Sequence, residues 1–155
     1  MEIKSAHISK DELYRYDLWR IWDNTKPSIM FIGLNPSYAD HEINDNTITR
    51  CINFSKMWGY GGLCMCNLFA YRATKPKEMF KALDPIGSDN DAILLSHAEK
   101  VDKIVASWGN HGRFKGRSAE IRSLLSNKLY YLELNKTGEP KHPLYIHSET
   151  KLKKL

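Results

Sequence analysis

A chain of 155 residues and 17.9 kDa has the size of one ordinary domain, large enough to bury roughly two-thirds of the surface its unfolded form exposes. Its 42% hydrophobic content, with four Trp, eight Tyr and five Phe, supplies core material and excludes disorder along the whole length. The formal charge of +5 and pI near 9.0 permit a polyanionic partner without requiring one. Part of that charge gathers at Lys151, Lys153 and Lys154, where solubility alone accounts for it.

The three cysteines, Cys51, Cys64 and Cys66, are few and odd in number. They favour a reducing compartment, and hence the cytoplasm, over a secreted disulfide framework. Met1–Lys10 shows no signal-peptide core, and no apolar run approaches the roughly 20 residues of a membrane helix. No linker, internal repeat or low-complexity tract divides the sequence. A single α/β domain over 1–155 is expected, with 1–10 and 148–155 as loosely ordered ends.

In chain order, Tyr14–Trp22 alternates apolar and polar residues and suits an outer strand. Asp23–Pro27 reads as a turn. Ile29–Leu34 is a continuous apolar run, as in a strand covered on both faces, and it stops at Asn35-Pro36-Ser37. A helix starts near Asn44 or Asp45, either of which can cap it, with Ile48, Cys51, Ile52, Ser55 and Trp58 on one face. Glycines 59, 61 and 62 end it before a second buried strand, Leu63–Phe69.

A short helix is expected over Lys77–Leu83. Ser88 and Asp91 fit a capping box for the next helix, on which Leu94, Ala98 and Val101 can face a sheet. Lys103–Trp108 is a third strand and ends at Gly109-Asn110-His111-Gly112. A helix over Arg117–Ser126, a fourth strand over Tyr130–Leu134 and the Pro-containing segment His142–Ile146 complete the series. Strands separated by helices predict a three-layer α/β/α fold around a central, mostly parallel four-stranded sheet.

In such sheets ligands bind beyond the carboxyl ends of the strands. Three polar segments fall there: Asn35-Pro36-Ser37, Asn67 with Arg72, and Gly109–Gly112. Asn35 can orient a water or a ligand amide with its paired donor and acceptor; it equally fits a turn in which its side chain satisfies backbone groups. Asn67 interrupts a buried strand, so its amide needs a protein partner or a ligand, and an Asn can contact a base edge through two bonds. His142 and His111 can donate to a carbonyl oxygen or stabilise developing charge, or serve as ordinary surface histidines. Tyr38 can stack on a ligand or pack over its loop.

Arg72, with Lys75 and Lys77, and the alternating Arg113, Lys115 and Arg117 can contact phosphates or form solvated helix approaches. Asp40 is a candidate acid or base, whereas Asp45 and Asp91 already have helix-start explanations. No Walker-type motif supports triphosphate hydrolysis, no nucleophile elbow supports Ser-His-Asp chemistry, and Cys64 with Cys66 lacks the further ligands of a zinc site. No metal or other cofactor is expected.

Gly33-Leu34-Asn35-Pro36-Ser37, Asn67-Leu68-Phe69-Ala70 with Arg72-Ala73-Thr74, Trp108–Gly112 and His142-Pro143-Leu144-Tyr145, in that order, resemble an uncharacterised family of bacterial and phage proteins (domain of unknown function 1643). More distantly, the chain resembles the uracil-DNA glycosylase superfamily, whose first catalytic motif is similar to Gly33–Ser37. The Ile104–Gly109 strand and the His142-Pro143 pair are also similar to segments of that superfamily, although Leu144 stands where its late motif carries Ser.

That resemblance implies a glycosylase-like fold in which Asn35 positions water, Asn67 reads the base and His142 contacts a base carbonyl. It leads to a nucleobase-processing enzyme, an N-glycosidic-bond hydrolase acting on DNA or a nucleotide derivative. Tyr38 would join Asn67 in binding the base. Arg72, Arg113, Lys115 and Arg117 would hold phosphate, with Asp40, Asn110 and His111 as accessories. The alternative is a non-catalytic nucleotide- or nucleic-acid-binding protein that keeps the fold. No membrane partner is expected, and the sequence assigns no protein partner.

Overall fold

A computed structural model describes residues 2–155, so Met1 lies outside the described residues. Seven strands form one mixed sheet: β1 (Ile3–Ile8), β2 (Arg15–Ile21), β3 (Ser28–Gly33), β4 (Gly62–Asn67), β5 (Ile104–Ala106), β6 (Leu129–Tyr131) and β7 (Lys153–Lys154). Their spatial order is β1-β2-β4-β3-β5-β6-β7. The strands β4, β3, β5 and β6 run parallel to one another, whereas β2 joins β4, β1 joins β2 and β7 joins β6 antiparallel. The expected four-stranded, mostly parallel sheet is therefore corrected to a seven-stranded mixed one.

The physical reason lies at both ends of the chain. Residues of β1 are mostly exposed and mix charge with single apolar side chains, which is how an edge strand keeps neighbouring molecules from pairing with it. With β1 outside it, β2 becomes an interior strand, paired on both sides. At the other edge, Lys154 lays its ammonium 4.8 Å from the Tyr130 ring, and Lys153 donates to the Leu132 carbonyl at 2.9 Å.

Both faces of the sheet are covered, which is why β3 and β4 are apolar without alternation. Ile29, Phe31 and Met65 share one cluster with Ile48, Cys51 and Phe54 of helix α1 (Asn46–Met57). Met30, Ile32, Cys64 and Cys66 face the other way. They meet Met79 of α2 (Pro76–Phe80), Leu94 and Ala98 of α3 (Asn90–Glu99), and Ile121 and Leu125 of α4 (Arg117–Leu125). Helix α1 starts where Asp45 accepts from the Ile48 amide at 2.9 Å, a side-chain N-cap. The capping box expected at Ser88 and Asp91 does not form: Asp89 occupies the cap position without a side-chain bond. Asp91 instead pairs with Arg117 at 2.7 Å.

The strand exits are bound to one another. Leu68 and Phe69 donate from their amides to the carbonyls of Gly33 and Leu34, and Ala73 donates to Pro36. The buried Asn90 amide donates to the carbonyls of Asn67 (3.0 Å) and Leu68 (3.1 Å). Arg117 adds a third bond, from Nε to Leu68 O at 3.0 Å. This bracing fixes the backbone from which Asn67 projects.

Candidate functional site

The ends of β3, β4 and β5 open into a cavity of about 670 Å³, well within the range of small-molecule sites. Asn35, Tyr38, Asn67, Asn110, His111 and His142 all line it. Those six sequence-derived candidates come from four separate stretches of chain, and the parallel strands bring them to one place.

Asn67 ends β4 opposite Gly33 in the β3–β4 ladder. It is 2% exposed, and its side-chain Nδ2 is buried without a hydrogen-bond partner. A Cβ built on Gly33 would lie 2.9 Å from Asn67 Oδ1 and 2.9 Å from the Met65 methyl, so glycine leaves the room that this amide occupies. An unpaired buried donor costs about 1–3 kcal/mol, and the residue that carries it lines the cavity.

Asn35 is held differently. Its Nδ2 donates to Ala73 O at 2.9 Å and to Pro36 O at 3.2 Å, which fixes the amide and leaves Oδ1 to accept from a ligand or water. His142 accepts the Leu144 amide at Nδ1, 3.3 Å away. Burial holds its pKa below the ordinary histidine value, with Asp45 opposing the shift. The ring is therefore neutral at pH 7, and its proton sits on Nε2 as a donor.

The third rim is built by packing. Trp108 donates to the buried Glu139 carboxylate at 3.3 Å, which also accepts from Ser118 at 2.5 Å and Arg122 at 3.2 Å. Gly112 lies against the Trp108 ring so closely that a Cβ there would overlap it. Asn110 Oδ1 is taken by Asn135 (3.0 Å) and Thr137 (2.6 Å), so it braces the rim. His111 meets the Phe80 ring edge-on at 5.3 Å. Tyr38 is 56% exposed at the mouth.

The proposed phosphate contacts fall elsewhere. Arg117 is buried and tied to Leu68 O, Asp91 and Glu120, which makes it a brace beneath β4. Arg113 donates to Thr137 O at 2.5 Å, and Lys115 lies 5.6 Å from the Phe114 ring. Arg72 donates to Glu12 O at 3.3 Å. Asp40 accepts from the amides of Ile43 (2.8 Å) and Glu42 (2.9 Å), bonds that hold its carboxyl below the usual carboxylate range. None of these five side chains lines the cavity.

Arg15, Asp45 and Tyr145 do line it, and sequence reasoning did not place them there. Arg15 opens a strand that reads as an outer one, where a cation needs no explanation. Asp45 has a helix cap as sufficient cause, and Tyr145 lies in a segment without periodicity. Among the described residues, no group of three or more His, Cys, Asp or Glu side chains could hold a metal ion, and no helix is long and apolar enough to cross a membrane.

Fold and site together define an α/β protein with a cavity at the carboxyl ends of parallel strands, the position at which open α/β sheets commonly bind small molecules. The chain belongs to the family described as "Protein of unknown function (DUF1643)", whose model matches residues 15–144. No curated protein and no solved structure matches it.

Proposed function

We propose that this protein processes nucleobases, as an N-glycosidic-bond hydrolase acting on DNA or a nucleotide derivative. The observation that carries the proposal is the Asn67 amide: a buried donor without a partner, aligned on a fixed strand end beside a cavity of nucleotide size. An Asn amide presents a donor and an acceptor side by side, the pattern that pairs with a base edge. The resemblance of Gly33–Ser37 to the first motif of the uracil-DNA glycosylase superfamily supports the same reading.

In the reaction, the base edge meets Asn67 and a base carbonyl accepts from His142 Nε2. Asn35 Oδ1 accepts a hydrogen bond from the attacking water and so aims its oxygen at the sugar carbon. Water supplies hydroxide to that carbon, the C–N bond breaks, and the base leaves with the bonding pair and, in net terms, the remaining proton. A neutral His142 stabilises charge on the departing carbonyl by hydrogen bonding. A base within duplex DNA must leave the stack to reach this site.

One observation favours a non-catalytic nucleotide- or nucleic-acid-binding protein instead. Asp45 is the one carboxylate residue lining the cavity among the described residues, and one of its oxygens already caps α1. Base release measured across modified oligonucleotides and free nucleotides separates the two. Hydrolysis predicts release by the wild type that Asn35→Ala abolishes while ligand binding persists. Binding without release from any substrate supports the non-catalytic alternative.

A further inference from the structure

Three arginines are buried to 2% exposure or less: Arg15, Arg20 and Arg117. Taking a guanidinium out of water is costly unless its donors are met, and two of the three meet that condition. Arg20 donates to Asn44 Oδ1 (2.7 Å) and to the carbonyls of Trp19 (2.9 Å) and Ile43 (3.2 Å), among others. Arg117 has two carboxylates and a carbonyl.

Arg15 differs. Its one side-chain hydrogen bond among the described residues runs from Nη1 to Ala39 O at 3.0 Å, and its buried Nε has no partner. No carboxylate among the described residues forms an ion pair with it. It is also the one of the three that lines the cavity. A buried cation with no ion-paired carboxylate, on a residue that lines the cavity and among carboxylates feels only the more distant charge of Asp45, is suited to an anion entering that cavity.

A second feature meets it there. Asn46 and Thr47, the first two residues of the 12-residue helix α1, line the same cavity. Their backbone N–H groups lack intrahelical acceptors, and helix starts of this kind favour anionic oxygens. Asp45 on the same rim is engaged by the Ile48 amide. The other basic side chains on the lining are Lys141 and the two histidines, His111 and His142.

We infer that Arg15 and the start of α1 form a phosphate subsite within the cavity, so that the ligand is a phosphorylated nucleotide and not a free base or nucleoside. This deepens the nucleobase proposal and rests on it for the base half of the ligand. The phosphate half rests on Arg15 and the start of α1, independently of Asn67. The phosphate can belong to a free mononucleotide or to a nucleic-acid strand.

The test is calorimetric titration of the full chain with the four common nucleosides, their 5′-monophosphates, a single-stranded pentanucleotide and inorganic phosphate. At least one monophosphate is expected to bind about tenfold or more tightly than its nucleoside, as a charge-assisted contact provides. Arg15→Gln should bring that ratio close to one, and Arg15→Lys, which keeps the charge but lacks Nε–H, should leave it intermediate. Tighter binding of the pentanucleotide or of the monophosphate identifies the source, and either supports the subsite.

Equal binding of nucleosides and monophosphates overturns the subsite and leaves the base proposal standing. Binding of inorganic phosphate that depends on Arg15, with no nucleoside or nucleotide bound, supports the subsite and overturns the base proposal. Absence of binding by every phosphate-bearing probe overturns the subsite. The Arg15 Nε–H resonance of the wild type gives a readout that needs no variant: it shifts on phosphate addition if the contact forms and stays still if it does not.

Discussion

Gly33 and Asn67 face each other across the β3–β4 ladder, and the missing side chain of one makes the space for the amide of the other. Replacing Gly33 with Ala puts a methyl 2.9 Å from Asn67 Oδ1 and the same distance from the Met65 methyl. One of them must move. Such overpacking costs about 1–3 kcal/mol. Chemical denaturation should show that loss for Gly33→Ala, and the Asn67 side-chain amide resonances should shift. A variant with unchanged stability and unmoved resonances would contradict the geometry.

Asn67 is expected to serve binding at the expense of stability. Its buried Nδ2 has no partner, so replacement by Leu, equal in side-chain heavy atoms though bulkier, removes an unsatisfied donor. Substitutions of that kind are nearly neutral or stabilising. Asn67→Leu should unfold within about 1 kcal/mol of the wild type, or be more stable, while ligand affinity falls. A loss of several kcal/mol would mean that the amide supports the fold.

Arg117 should behave in the opposite way. It is buried and supports the Leu68 carbonyl while pairing with Asp91 and Glu120. Arg117→Met leaves that carbonyl without one of its donors and the carboxylates without their partner. A cost of about 2–4 kcal/mol is expected from denaturant unfolding. The cavity lining does not include Arg117, so a loss of phosphate affinity without loss of stability would contradict its role as a brace.

The His142 ring should titrate below the ordinary value of 6.5, because burial disfavours its charged form. The sign for stability follows from linkage. Above 6.5 the ring is neutral in both folded and unfolded chains and contributes no pH dependence. As pH falls below 6.5 towards the folded pKa, the unfolded chain takes up the proton first and stability declines. The Asp45 charge opposes that shift, so Asp45→Asn, which preserves the helix cap, should lower the pKa further. Proton NMR titration of the ring checks both shifts, and a His142 pKa above 6.5 would contradict them.

Much of the candidate site was legible because its chemistry and its position coincide in sequence. Asn35 follows an apolar run that ends at a polar residue, which marks a strand exit whatever the rest of the sheet does. Asn67 stands out as a polar residue interrupting an apolar run read to Phe69, whereas β4 ends at Asn67 itself. The sheet itself was less legible. The mixed polarity of β1 matches that of an unstructured end, because edge strands are selected against looking like good strands. Missing β1 turned β2 into an outer strand, and that hid Arg15, whose meaning depends on being buried.

The basic segments misled for a related reason. Charge in sequence does not distinguish a cation that faces solvent from one that spans the interior. Arg117 became a brace because Asp91 and Glu120 lie within its reach, a relation between separate helical positions on α3 and α4. Asn110 likewise spends its oxygen on Asn135 and Thr137, residues some 25 positions away.

The central claim, that the cavity receives a nucleobase against Asn67, is tested most directly by titrating nucleobases and nucleotides into wild-type protein labelled to observe the Asn67 side-chain amide. The account predicts that a bound base shifts the Nδ2 protons and that Asn67→Ala weakens the same ligand by about tenfold or more. A ligand that binds the cavity with equal affinity in Asn67→Ala, and leaves the wild-type amide resonances unmoved, would contradict it.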